Sequence, residues 1–449
     1  MSEVRRKVEN FLDSLLFVLV ATILSLAVSA AAVCGIAWVL NFQLSHPAIV
    51  ILCLISCTAL QLAVLGNSDL IPTGSRHPRF SCVRLLTQLV VGYVFLVAMG
   101  ILLFIAFQMC DLLSNRLLTA TDGPGHLAIL RGLEIDHTDG FYPYLVFSDG
   151  TSARSPSPYP VGSHFLAMVI GAIFRIDIAI AYEVIVTAFE FIVFPLALIS
   201  LFRVTTERVL PIRWILLVFS AGVCYRPFAE AFQGPTVIGT SLAIVASSTL
   251  QRIEGRRSQI PLLILLSATL LLVHPSGFFL FLLIVGRLKR KSIIYSYLPL
   301  LLIVGFFYVG TVRVLRTGGY FTSWVSSNQS ALVLWELSMG EIPVRVGRFV
   351  IQYFLGMGRY EFLPIALTLF IVSVSAYRFT PSNIVECCFS LCLLATTSLT
   401  GLTGVGPAIG LLTFPWYGTP DRFVVLWTVT FLITVADSRQ LPTKSHARN

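Results

Sequence analysis

The chain has 449 residues, of which 56% are hydrophobic and only 12% charged, with 31 Lys+Arg against 22 Asp+Glu and a net charge of +9. Soluble domains carry about 25% charged residues, so this composition excludes an ordinary soluble enzyme or binding module and indicates a polytopic membrane protein. The positive charge sits in short loops between apolar runs and is not interleaved with exposed aromatics, so no nucleic-acid partner is expected.

The N-terminus carries Arg5, Arg6 and Lys7 ahead of an apolar run that reaches Leu40. That run is far longer than the apolar region of a signal peptide, so it reads as an uncleaved anchor. A helix needs about 20 apolar residues to cross a bilayer. By that measure the predicted spans are 14–40, 48–66, 85–109, 178–202, 210–226, 234–250, 259–273, 276–287, 292–311, 361–378, 384–402 and 422–437. The pair 259–273 and 276–287 flanks His274-Pro275-Ser276-Gly277 and reads either as two tilted spans or as one broken re-entrant hairpin.

The expected architecture is therefore an all-α polytopic membrane protein of about twelve transmembrane helices, with periplasmic or extracellular interfacial helices. It has three regions: a three-helix membrane region at 1–109, a large outer loop at 110–177, and the remaining bundle at 178–449 with an outer segment at 312–360. With the N-terminus in the cytoplasm, the basic residues at 5–7, 76–84, 203–213, 252–257, 287–291, 378 and 439–448 share one side. Eleven of the 31 Lys+Arg fall on the other side, all arginine, as the positive-inside rule prefers. Both termini are then cytoplasmic and the protein is a multi-pass resident of the cytoplasmic membrane. The fit requires that 161–174 not cross; it is short and reads as an interfacial or re-entrant helix.

Nine cysteines lie mostly inside these spans, without C-x-x-C spacing, so neither a disulfide nor a zinc site is expected. Chemistry is expected in the polar loop 110–177. There, Asp122 and His126 are four residues apart and stack on one face if a helix starts at Asp122. The pair reads either as an N-cap with a satisfied polar neighbour, or as a general base or metal ligand with a histidine beside it. Tyr159-Pro160 precedes His164 in the short helix, and His274 sits at the outer end of a span beside its Pro-Ser-Gly break. An ionisable side chain at that depth is costly and usually functional.

Arg226 and Glu230, four apart at another outer end, either pair with each other or hold an anion and position a sugar. The last outer loop carries Trp416, Tyr417, Asp421 and Arg422. It reads as an interfacial aromatic belt, or as a phosphate clamp by Arg422 backed by an aromatic platform. Glu183 and Glu190, seven apart on one helix face, keep open the alternative of a transporter or flippase for a lipid-linked saccharide.

Taken in order, D-x-x-x-H (Asp122, His126), Y-P-x-x-x-H (Tyr159, Pro160, His164), H-P (His274, Pro275) and W-Y-x-x-P-x-R (Trp416, Tyr417, Pro420, Arg422) form a pattern. It resembles a family of uncharacterised, mostly actinobacterial polytopic membrane proteins similar to the GT-C superfamily of glycosyltransferases. The chain departs from that pattern at Thr121, Gly125 and Thr419. The resemblance implies transfer of a sugar from a polyprenyl-phosphate donor to a cell-envelope glycan or glycolipid acceptor on the outer face, with inversion. It makes Asp122 the base or the ligand of a divalent metal such as Mg²⁺ or Mn²⁺, with His126 beside it. Tyr159, His164, Arg226, Glu230, His274, Trp416, Tyr417, Asp421 and Arg422 are then the expected donor- and acceptor-binding residues.

Overall fold

The computed structural model describes residues 3–39, 45–66, 83, 86–94, 97–98, 100–101, 123–135, 144–146, 149–154, 160–206, 234–253 and 256–288. The chain divides into two compact units, Met1–Leu201 with Arg226–Thr322, and Phe202–Tyr225 with Ser323–Asn449. Nearly all the described residues belong to the first unit; of the second, only 202–206 is described.

The described chain is almost entirely helical. Helix α1 spans Glu3–Val39, α2 His46–Gly66 and α3 Gly123–Ile135. The strands β1 (Tyr144–Val146) and β2 (Ser152–Arg154) come next, then α4 (Gly162–Phe174) and α5 (Ile178–Ala188). A π-helical turn at Phe189–Val193 leads into α6 (Phe194–Thr206). Helices α7 (Gly234–Arg252), α8 (Arg256–Val273) and α9 (Pro275–Leu288) complete the described elements. Among the described residues, three stretches are long and apolar enough to cross a membrane: Phe11–Ala37, Pro47–Gly66 and Ile178–Val204. These are the helices of a membrane protein. The expected spans 210–226, 292–311, 361–378, 384–402 and 422–437, and the outer segment 312–360, lie outside the described residues.

Helix α7 is the packing centre. Every residue from Gly234 to Leu250 is buried, and the helix touches α1, α4, α5, α8, α9 and the π turn. Its sequence explains this position. Gly239, Ser241, Ala243, Ala246, Ser247 and Ser248 keep its surface slim, and small residues let neighbouring backbones approach where lipid supplies no hydrophobic drive. Its hydroxyls are absorbed locally. Thr240 donates to the Thr236 carbonyl (2.7 Å) and Ser247 to that of Ala243 (2.7 Å), while Ser200 of α6 donates to Ser248 (3.2 Å).

The partner of Gly234 is Val186, since an added Cβ would lie 2.5 Å from Val186 Cγ2. Val186 and Ser200 are fourteen residues apart, as are Gly234 and Ser248, and they pair in the same order. The span Ile178–Val204 therefore runs parallel to α7.

Helix α1 is also largely buried and packs on α2, α4, α7 and α8. At its start Asp13 accepts from Arg252 at the end of α7 (2.7 Å), and Arg252 lies over the Phe17 ring (5.3 Å). Gln61 of α2 donates to Thr22 of α1 (2.5 Å). By contrast α2 turns Ile51, Leu52 and Ile55 outward, an apolar surface suited to lipid.

Two features differ from the sequence expectation. The loop 110–177 contains a small antiparallel hairpin, with Tyr144 opposite Arg154 and Val146 opposite Ser152, so the fold is not purely helical. Its turn is built by Asp149, whose Oδ1 accepts from the Thr151 amide (2.9 Å) and hydroxyl (2.6 Å), and by Gly150 at φ 79°.

The short helix expected at 161–174 forms as α4, and most of its residues are buried. Gly162–Val169 and Gly171 are buried against α1, α2, α5 and α8. At 13 residues it is about 20 Å long, too short to cross a bilayer by itself. Finally, the span expected as one helix at 178–202 carries the π turn at its middle, around Glu190.

Candidate functional site

Three polar rings from three helices meet at one end of α7. His126 stands in the first turn of α3, His164 in the first turn of α4 and Tyr182 near the start of α5. His126 Nδ1 and His164 Nε2 are 3.1 Å apart, a hydrogen bond with one proton between them. The His164 ring stacks on Tyr182, centroids 4.9 Å apart and planes 12° apart. His126 leans on both, 5.2 Å from the His164 centroid and 5.6 Å from that of Tyr182. On its other side His164 Nδ1 lies 3.3 Å from Ser163 Oγ. His164 and Tyr182 are fully buried and His126 is 5% exposed.

The surroundings hold these rings in place. Arg131 of α3 pairs with Asp177 (2.9 Å), which also caps α5 by accepting from the Ala179 amide (2.8 Å). His126 precedes Arg131 by five residues, and Asp177 precedes Tyr182 by five. Helices α3 and α5 are thus antiparallel, joined by an ion pair at one end and a ring contact at the other. Glu134 adds a second carboxylate on Arg131 (2.8 Å).

Glycine permits the remaining contacts. An added Cβ at Gly234 would lie 2.9 Å from Tyr182 Oη, so α7 starts directly on that ring. At Gly162 an added Cβ would lie 2.8 Å from the backbone of Leu272 and Val273, so α4 begins against the end of α8.

That contact brings the His274 corner beside the start of α4. His274 is 2% exposed and links α8 to α9: its amide donates to the Leu270 carbonyl (2.8 Å) and its carbonyl accepts from the Gly277 amide (3.0 Å). Pro275 has no amide to continue the ladder, which is why the chain breaks there into two helices packed on each other. Gly277 seats on Gly239, where an added Cβ would come within 2.6 Å of the Gly239 carbonyl carbon.

Electrostatically, burial disfavours the charged form of both imidazoles. Burial pushes His126 down to about 4, and burial with His126 as neighbour holds His164 well below the usual histidine range. A neutral pair donates and accepts hydrogen bonds but contributes no fixed positive charge. Near the surface, burial alone would raise the Asp177 carboxyl, but the Arg131 guanidinium and the Ala179 amide hold it below the ordinary carboxylate value. Arg131 is raised, chiefly by its bond to Glu134.

Of the residues expected from sequence, the structure brings His126 and His164 together and sets the His274 corner against the helix that bears His164. Asp122 immediately precedes α3 in sequence and, with Tyr159, Arg226, Glu230, Trp416, Tyr417, Asp421 and Arg422, lies outside the described residues. Among the described residues no three His, Cys, Asp or Glu side chains group as metal ligands. Cys34, Cys53 and Cys57 are free thiols.

Sequence reasoning missed Tyr182, Ser163, Arg131 and Asp177. Asp177 offered a signal, an Asp just ahead of an apolar run, which is the mark of an N-cap. Tyr182 offered none, since an aromatic residue inside an apolar span reads as core. No family model, no curated protein and no solved structure matches this chain.

Proposed function

We propose that this chain is a membrane glycosyltransferase of GT-C type. It takes a sugar from a polyprenyl-phosphate-linked donor and transfers it to an envelope glycan or glycolipid on the outer face of the cytoplasmic membrane. The observation that carries the reading is the gathering of His126, His164, Tyr182 and the His274 corner at the Gly234 end of α7, where the expected outer ends of the spans fall. The basic end of the same helix, at Arg252 and Asp13, is about 27 Å away, a distance set by eighteen helical steps. Buried histidines that meet at one end of a helix bundle suit a reaction confined to one membrane face.

In this reading Asp122, one residue before α3 and four before His126, removes the proton from the acceptor hydroxyl. The oxygen attacks the anomeric carbon in line, the sugar–phosphate bond breaks, and the lipid phosphate leaves with inversion. In the same reading Arg226 holds that phosphate. A divalent metal, if one is used, is held by Asp122 and neutralises phosphate charge.

The test is transfer from a panel of radiolabelled polyprenyl-phosphate sugars in membranes carrying the wild type or an equally abundant Asp122→Asn. Transfer by the wild type and its loss in the variant support the proposal. Equal transfer by both removes Asp122 from the mechanism.

One observation favours a second reading, a transporter or flippase of a lipid-linked saccharide. Glu183 and Glu190 are both buried within the span Ile178–Val204, and Glu190 lies in the π turn. Buried carboxylates in a span mark ion or proton pathways, and π turns recur at functional sites. That reading requires saccharide movement without bond cleavage.

A further inference from the structure

We propose that Arg131 and Asp177 are positioning residues for His126. Their ion pair sets where α3 docks on α5, and through that docking it holds His126 against His164. The purpose of that contact rests on the transfer reading above, but the docking has a readout of its own.

Helix α3 depends on its neighbours for its place. It has 13 residues, Gly125 and Gly132 among them, and a helix of that length is marginal in isolation even without glycine. Two contacts join it to α5. One is the Arg131–Asp177 ion pair at 2.9 Å, and the other is the approach of His126 to Tyr182, ring centroids 5.6 Å apart.

These contacts are five residues apart on each helix, about 7.5 Å along axes that run antiparallel. Two attachments at that spacing fix both the axial position of α3 and its rotation, whereas one alone leaves a pivot. Without the ion pair, α3 is held on α5 at the histidine end only. A slide of about 1 Å along the bond is then enough to take the 3.1 Å contact between His126 Nδ1 and His164 Nε2 out of hydrogen-bond range.

Asp177 is oriented for this pairing. Its Oδ1 caps α5 by accepting from the Ala179 amide at 2.8 Å, which fixes the carboxylate and turns Oδ2 to Arg131. Glu134 meets the same guanidinium nitrogen, Nη1, at 2.8 Å from within α3. An arginine shared between a carboxylate of its own helix and one of its neighbour lets α3 release and return without stranding a charge. Since 37% of each side chain in the Arg131–Asp177 pair is exposed, the docking also responds to salt.

The test is modification of histidines in the full-length protein by diethyl pyrocarbonate, in detergent at neutral pH, followed residue by residue by mass spectrometry. His126 and His164 are shielded while α3 is docked, and His274 at the α8–α9 corner serves as the internal reference. Asp177→Asn removes the charge but keeps the cap, because asparagine caps a helix as well as aspartate does. It is expected to speed modification of His126 and His164 about two- to fivefold, the range an exposed ion pair supports, with His274 unchanged. Arg131→Met does the same, the double variant goes no further than the faster single one, and Arg131→Lys stays nearer the wild type. High salt narrows the difference between the wild type and Asp177→Asn.

Unchanged modification in Asp177→Asn and Arg131→Met, or additive effects of the two, would overturn the positioning role. So would an equal rise at His274, which marks loosening of the whole bundle. Where transfer is measured in parallel, both variants lower kcat with KM nearly unchanged, and Arg131→Lys restores part of the loss. A rise confined to His126 and His164 upholds the positioning even if no donor supports transfer, in which case only the glycosyltransferase reading falls. Unmoved histidines in a protein that transfers sugar leave that reading standing and remove Arg131 and Asp177 from it.

Discussion

Replacing Gly162 by alanine tests how tightly the site is assembled, because the clash is with backbone. The added methyl would sit 2.8 Å from Leu272 C and O and from Val273 N. Carbon contacts are comfortable from about 3.5 Å, so α4 and the end of α8 must separate by more than half an ångström. Neither side has a flexible tip that can swing away, and overpacking of this kind costs about 1–3 kcal/mol. His164 is two residues further along α4, so the displacement also stretches its 3.1 Å bond to His126.

The control is Gly125→Ala. Gly125 is helical, exposed and has nothing within 4 Å of an added Cβ, so alanine there gains helix propensity of about 0.5–1 kcal/mol. The assay is apparent melting temperature in detergent, read as loss of the monodisperse peak after heating. Gly162→Ala is expected to melt below the wild type and Gly125→Ala at or above it. A Gly162→Ala protein as stable as the wild type would refute the close seating of α4 on α8, and with it the proximity of His274 to the site.

The histidine pair gives a pH dependence. Above pH 6.5 both folded and unfolded states leave His126 neutral; as the pH falls below 6.5 the unfolded chain takes up a proton that the folded site refuses until about 4. Stability is therefore lost from pH 6.5 down to 4, by about 3 kcal/mol from His126 at about 1.4 kcal/mol per pH unit, with His164 adding in the same direction. Melting temperatures at pH 7.5 and 5 should fall more steeply for the wild type than for His126→Gln; equal slopes would count against the buried neutral pair.

At the other end of α7, Arg252 and Asp13 form a bond only 6% and 20% exposed, and removing one partner of a buried pair costs about 3–5 kcal/mol. Arg252→Ala should lower the melting temperature strongly, and Asp13→Asn in the same chain should add little further; additive losses would show that the two are not coupled.

Helix lengths and breaks were legible because they depend on local pattern. The apolar run at 178–202 became the span Ile178–Val204, the His274-Pro275 break became the junction of α8 and α9, and α3 starts at Gly123 behind Asp122. The faces of these helices were not legible. When a helix is apolar on every side, periodicity no longer distinguishes lipid from protein, so nothing in 161–174 announced that α4 is buried or that α7 is the centre.

The hairpin was missed although Asp149-Gly150 is a recognisable turn signal, since its strands are only three residues long. The candidate site divides in the same way. His126, His164 and His274 stood out as polar residues in apolar surroundings, whereas Tyr182 did not. The match of Arg131 to Asp177 and of His126 to Tyr182 depends on two helices lying antiparallel, which residues 46–56 positions apart cannot reveal by spacing.

The central claim is that a sugar–phosphate bond is broken at the end of the bundle that carries the histidines. The most direct measurement places the purified protein in liposomes with one radiolabelled polyprenyl-phosphate sugar and a lipid acceptor. Free polyprenyl phosphate and leaflet position of the label are then tracked together. Transfer predicts that polyprenyl phosphate accumulates in step with glycosylated acceptor, with inverted anomeric configuration. Label that crosses to the other leaflet still attached to its phosphate, with no polyprenyl phosphate released, would contradict the enzyme reading and establish the transporter in its place.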